Sequence, residues 1–269
     1  MNYSYCAQTH PGLVRHNNED SVVFDDASGV VVLADGMGGY NAGEVASGMA
    51  TAFIKSELVR WLSSHSHTAS VDQVSEAIEA CIGQANLSIL NAATSNPQYM
   101  GMGTTLVVGI FRGNSLVLGH VGDSRCYRLR GGVLQQITKD HSLLQEQVDA
   151  GLLTAAQAAT APGKNLLTRA VGVGPSVDVE VHQHSIESAD LFLMCSDGLT
   201  DMVDDATLCQ IMKRDSTLHE MATELVARAN AVGGRDNITV LLIQDKNASD
   251  KPGLISRLFG RQSKPNTFE

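Results

Sequence analysis

The chain has 269 residues, of which 43% are hydrophobic and 18% charged. That balance suits one large compact domain and excludes a disordered, collagenous or coiled-coil chain. With 29 acidic against 19 basic residues and a formal charge of -10, the body repels nucleic acid and anionic membrane, so neither is expected as a partner.

The N-terminal segment lacks the charged-then-apolar layout of a signal peptide, and no stretch approaches the ~18–20 apolar residues of a membrane span. Five cysteines without a C-x-x-C pair write neither a disulfide framework nor a zinc ribbon, which favours a reducing, cytoplasmic compartment.

In chain order, short β-branched and apolar runs predict strands at 21–24 and 30–34. A helix follows over about 43–63, with Val45, Met49, Phe53 and Leu58 on one stripe. A second spans 71–91, opened by a Ser70/Gln73 capping box and burying Val74, Ile78, Cys81, Ile82, Ala85 and Ile89. Four strands come next, at 104–111, 115–121, 125–129 and 133–137. The connections Arg112-Gly113-Asn114 and Arg130-Gly131-Gly132 are too short for crossover helices, so these strands pair antiparallel and a parallel nucleotide-binding sheet is disfavoured.

Residues 140–174 break the rhythm and read as an inserted flap, with a short helix near 143–150 closed by Gly151. Strands at 177–181 and 191–195 precede a helix that a Thr217/Glu220 capping box opens and Gly233-Gly234 ends; a last strand covers 238–243. The pattern is α+β, antiparallel sheets covered by helices, over residues 1–244. Residues 245–269 form a basic tail, expected to be flexible, with one apolar knot at Leu254, Ile255, Leu258 and Phe259.

Three strands run into an aspartate followed by a small turn residue, at Asp35, Asp123 and Asp197, and Asp236 stands just before the last strand. Carboxylates gathered without Cys or His are the ligand set of hard cations such as Mg2+ or Mn2+. Taken singly, each better suits an Asx turn that ends a strand; four at equivalent places shift the reading toward a site. The segment Arg15-His16-Asn17-Asn18-Glu19-Asp20 adds a guanidinium whose planar fork fits a phosphate, although alone it also reads as a solvated loop. P-loop, dinucleotide and nucleophile-elbow patterns are incomplete around Gly163-Lys164, Gly36-Met37-Gly38, Ser124 and Ser196, and Cys195 sits in an apolar run as a packed thiol. His65, His67, His182 and His184 read as surface or structural residues.

RHNNEDS (15–21), VLADGMGG (32–39), MGTTLV (102–107), HVGDSRCY (120–127), LTRAVG (167–172), CSDGLTD (195–201) and GGRDNITV (233–240) together resemble the bacterial serine/threonine members of the metal-dependent protein phosphatase family, PPM or type 2C. The resemblance implies a four-layer sandwich of two antiparallel sheets flanked by antiparallel helix pairs. It implies two Mn2+ or Mg2+ ions, with Asp35 bridging them, Asp197 and Asp236 on the first and the Gly36 carbonyl on the second. Asp20 and Glu19 would act through water, and Asp123 with Asp197 would hold a third, weaker ion. Arg15 would grip the substrate phosphate, and Asn237 would support Asp236. The implied reaction is single-step hydrolysis of phosphoserine and phosphothreonine proteins by an activated hydroxide, opposing a bacterial serine/threonine kinase. A monomer is expected.

Two departures stand out. Tyr40 replaces the histidine of many relatives' DGMGGH, and the flap reads Ala161-Pro162-Gly163-Lys164-Asn165, without the usual histidine. A phosphoprotein-binding module without activity, or a phosphatase of small phosphate esters, are the alternative readings.

Overall fold

The computed structural model describes residues 3–39, 42–65, 69–158, 161–163 and 166–245. Tyr40, His67, Lys164, Asn165 and the basic tail lie outside them. Eleven strands are present among the described residues: β1 Tyr3–His10, β2 Asp20–Asp25, β3 Val30–Met37, β4 Gly103–Thr104, β5 Leu106–Arg112, β6 Ser115–Val121, β7 Arg125–Arg130, β8 Val133–Gln136, β9 Glu180–Ser185, β10 Leu191–Cys195 and β11 Ile238–Asp245. One sheet has the order β1-β11-β10-β7-β8 and the other β2-β3-β5-β6-β9, with β4 pairing β3. Every strand pair is antiparallel, including the expected β5–β6 and β7–β8 hairpins.

Strand alternation builds three cores and hence four layers. Val31, Leu33, Leu116 and Leu118 of one sheet meet Phe192, Met194, Leu241 and Ile243 of the other. The alternate residues Val30, Val32, Val108 and Ile110 face the long helices α1 (Ala42–His65) and α2 (Val71–Ser95). On the outer side of the other sheet, Leu193, Cys195, Val240 and Leu242 pack under helices α6 (Asp205–Met212) and α7 (Leu218–Ala231). Between these lie the short helices α3 (Leu143–Asp149), α4 (Ala155–Ala158) and α5 (Asp197–Thr200).

Both expected capping boxes are formed, Ser70 with Gln73 and Thr217 with Glu220, and the anticipated stripe of α2 is buried. Several expectations need correction. The face of α1 turned to the sheet is Ala46, Ser47, Ala50, Thr51, Ile54 and Leu58; of the expected stripe Leu58 is buried, while Val45, Met49 and Phe53 lie on the flank half-buried. At its start the helix sits so close to the sheet that only small side chains fit: a Cβ on Gly43 would come within 2.8 Å of the Gly36 carbonyl carbon. β1 was not anticipated, because its Tyr3-Tyr5-Ala7 alternation is short and one neighbour, β11, secures it. The strand expected at 177–181 forms at Glu180–Ser185, a polar strand at the sheet's edge. α6 was also unforeseen; the Asp204 side chain accepts the Thr207 N–H at its start, and Leu208, Ile211 and Met212 are buried.

The flap is anchored at its base. Ser142 bridges Leu167, Thr104 bridges Val171, and the helix near 143–150 ends at Gly151 with φ +70°. No helix among the described residues is long and apolar enough to cross a membrane.

Candidate metal centre

One end of the sandwich collects every acidic residue singled out in the sequence. β2 and β3 pair with Asp20 opposite Asp35. In the other sheet, β10 delivers Asp197 as the first residue of α5, while Asp236 stands two residues before β11. Asp123 follows β6 across the Gly122 turn. Arg15, Glu19, Asp35, Gly36, Asp123, Asp197 and Asp236 line one cavity of about 190 Å³. Asp20 lies buried at 9% exposure, its Oδ2 accepting the Ser196 hydroxyl at 2.7 Å.

The frame around these groups is dense with hydrogen bonds. The Asp35 carbonyl accepts from Thr104 Oγ1 and the Thr105 N–H, both at 2.8 Å, and the Asp35 N–H donates to Thr105 Oγ1 at 3.0 Å. Thr105 Oγ1 also contacts Ser124 Oγ at 2.7 Å, tying the Asp123 turn to the Asp35 strand. Gly36 donates to the Glu19 carbonyl at 3.1 Å. No side chain fits there, because a Cβ would sit 2.1 Å from the Gly43 oxygen and 2.6 Å from that of Glu19. Asn237 holds the loop rather than the last carboxylate. Its Oδ1 accepts the Glu19 N–H and its Nδ2 donates to the Asn17 carbonyl, both at 2.8 Å; only its backbone N–H reaches Asp236 Oδ1.

Electrostatically the cavity is unbalanced. Arg15 donates to Asp236 Oδ2 at 2.7 Å, at a half-exposed rim. Burial, with the nearby charges of Asp20 and Asp197, pushes Asp35 well above the usual carboxylate range. Burial, then Asp123 and Asp201, does the same to Asp197. Asp20 is pushed up to about 6, chiefly by burial, and Asp123 to about 7, by burial and then Asp140. Glu19 is also raised, mainly by burial.

This donor set fits divalent cations. Carboxylates crowded together with their charges uncompensated supply only hard oxygen ligands, and Asp20 Oδ1 is buried without a hydrogen-bond partner among the described residues. Thr105 and Leu167 also line the cavity and were not singled out as site residues, although both lie inside the quoted motifs. They are apolar or hydroxyl residues between charged neighbours, so only their placement marks them.

A profile of the protein phosphatase 2C family matches residues 14–242. The chain belongs to this family. It is 39% identical over 240 residues to the serine/threonine phosphatase stp of Listeria innocua, covering 88% of this chain and 94% of that one. Among solved structures, the S. agalactiae serine/threonine phosphatase superposes with a TM-score of 0.83 at 34% identity, covering 91% of this chain and all of that one. The catalytic domain of the phosphatase PstP, solved in complex with two manganese ions, gives 0.78 at 36% identity, covering 90% and 97%. This phosphatase 2C chain thus shares its four-layer sandwich with a relative that holds metal.

Proposed function

We propose that the protein is a serine/threonine phosphatase that hydrolyses phosphoserine and phosphothreonine in proteins with two Mn2+ or Mg2+ ions, opposing a serine/threonine kinase. The observation that carries the reading is the convergence of Asp20, Asp35, Asp123, Asp197 and Asp236 at one cavity end, with raised carboxylates and a guanidinium at the rim. The manganese in the PstP relative and the phosphatase names of the relatives support it.

In this reading Asp35, the Gly36 carbonyl, Asp197 and Asp236 would hold the two ions, and Asp123 with Asp197 would hold a third, weaker one. Bound there, divalent cations lower the pKa of water and draw charge from phosphoryl oxygens. The protein's own groups bind and orient. Arg15 takes two phosphate oxygens in its fork, and Asp236 keeps its guanidinium turned toward the cavity. Asp20 Oδ1, without a hydrogen-bond partner among the described residues, is left as acceptor for an ordered water, with Glu19 next in sequence. Residues 1–244 act as the phosphatase domain, working as a monomer in the cytoplasm, with 140–174 shaping access.

The test is phosphate release from a phosphothreonine peptide by chelator-stripped wild type and Asp197→Ala, with and without Mn2+. Release only in wild type with Mn2+ is expected. A folded, Mn2+-loaded wild type silent across several phosphopeptides would overturn the reading, in favour of a phosphoprotein-binding module. Turnover confined to small phosphate esters would replace the substrate class.

A further inference from the structure

Behind the Asp123 turn lies a second polar cluster, outside the cavity; two of its members, His120 and Arg169, fall inside the quoted motifs but were given no role there. His120 of β6 and His141 at the base of the flap are buried and stacked, with ring centroids 4.7 Å apart and planes within 17°. Glu180 of β9 reaches His141 Nε2 at 3.3 Å and His120 Nε2 at 4.0 Å, and Arg169 Nη1 lies 3.4 Å from His141 Nε2 and 3.6 Å from Glu180. One ligand atom from each of His120, His141 and Glu180 lies within 4.8 Å of the others, which invites a metal.

The hydrogen bonds argue against a metal. His120 Nε2 is 2.8 Å from the Lys139 carbonyl, so that nitrogen carries its proton. His141 Nδ1 accepts the Gly122 N–H at 3.1 Å, which puts the His141 proton on Nε2, facing Glu180. Neither Nε2 then offers a lone pair at the place where Glu180 approaches both rings. The Arg169 cation adds repulsion.

What remains is a clamp. Gly122 is held twice by one residue: its N–H donates to His141 Nδ1, and its carbonyl accepts the His141 N–H at 2.9 Å. Gly122 has φ +100°, and a Cβ there would come 2.7 Å from Thr105 Cβ, so the turn has little freedom on its other side. There Ser124 meets Thr105, which is bonded to the Asp35 backbone. Asp123 sits between these two fastenings. His141 also accepts the Thr168 N–H on its carbonyl, at 3.0 Å, so the same residue ties the turn to the backbone next to Leu167.

We infer that His141 is a positioning residue: by gripping Gly122 at both its N–H and its carbonyl it aims the Asp123 carboxylate and thereby sets the affinity of the third, weaker ion. Outer groups that orient a ligand typically matter at this level. The inference rests on the reading of Asp123 as the ligand of that ion. It separates His141 from Glu180 and Arg169, which hold the imidazole but do not touch the turn.

The experiment counts Mn2+ bound to the full chain by the electron paramagnetic resonance signal of free Mn2+, with thermal unfolding as a control. His141→Ala should weaken the weakest ion on the order of 10-fold, leaving the tighter ions unchanged. His141→Asn, whose Oδ1 can occupy the place of Nδ1 and accept the Gly122 N–H, should restore most of that affinity; His141→Gln, which reaches Glu180 instead, should not. Asp123→Asn should abolish the weakest ion, and His141→Ala added to it should change nothing more. Should His141→Ala not fold, the Asn and Gln pair decides alone. Equal ion binding by the Asn and Gln variants, or a His141 effect that persists without Asp123, overturns the inference while the reading of Asp123 stands. Unchanged ion binding in Asp123→Asn overturns that reading and the inference with it.

Discussion

The two ends of the sandwich are built on opposite principles. At the end where Tyr3 pairs Asp245, Tyr3, Phe111 and Phe192 meet edge to face at 5.2 and 5.3 Å, and Tyr5 stacks on Phe24 at 5.3 Å. Roughly 23 Å away along β1, at ~3.3 Å per residue, the same sheets present five carboxylates with one close guanidinium. The aromatic end satisfies itself with apolar contacts inside the chain. The acidic end holds like charges that protonation or a bound cation would relieve, so the fold leaves its unsatisfied interactions at the proposed site.

The comparison is broken most severely by exchanging the character of one end. Asp35→Asn should abolish phosphate release and yet raise the unfolding temperature of the chelator-treated protein, because a repelled buried charge is gone. At the other end Phe111→Ala should cost about 3–5 kcal/mol while leaving turnover per folded molecule as it was, read by denaturant unfolding beside the phosphate assay. An acidic-end substitution that destabilises, or an aromatic-end one that alters turnover per folded molecule, would erase the contrast.

Next in size is the pH response. Asp20 and Asp123 have folded values of about 6 and about 7, above the ~3.9 of an unfolded aspartate. The folded, metal-free chain therefore binds more protons than the unfolded one across that window, and its stability should fall as pH rises from about 4 to about 7. Mn2+ holds these carboxylates ionised, so the fall should vanish in its presence. Parallel melting curves with chelator and with Mn2+ measure both slopes, and identical slopes would sink the idea.

Arg15→Ala should lower kcat/KM roughly 10- to 100-fold, from the ~1.5–3 kcal/mol of a charge-assisted hydrogen bond, with Mn2+ binding little changed. The smallest effect belongs to neither end. Thr217→Ala removes the cap of α7 and should cost about 1 kcal/mol of stability with no change in turnover.

How much was legible depended on the range of the interaction. Capping boxes, two-residue hairpin turns and the α2 stripe are contacts within four residues, and they were readable as written. The buried face of α1 was not, because a run of Ala, Ser and Gly has no hydrophobic contrast until a sheet lies close against it. Polar β9 and short β1 likewise depend on partners far along the chain, β6 and β11. Asp35, Asp197 and Asp236 were each ambiguous between ligand and turn-former, and their motifs, taken jointly, gave the family.

The chain's own residue order thus determined which carboxylates end strands, where helices start and which loops are too short for a crossover, since these follow from local geometry. Only the tertiary structure decided that Asp20 faces Asp35 across a strand pair, and that two sheets bring Asp197 and Asp236 to the same end. It alone seated His141 on the peptide before Asp123. Those juxtapositions join residues up to 216 positions apart, and the force that closes such loops is burial of the three cores, which has no short-range signature.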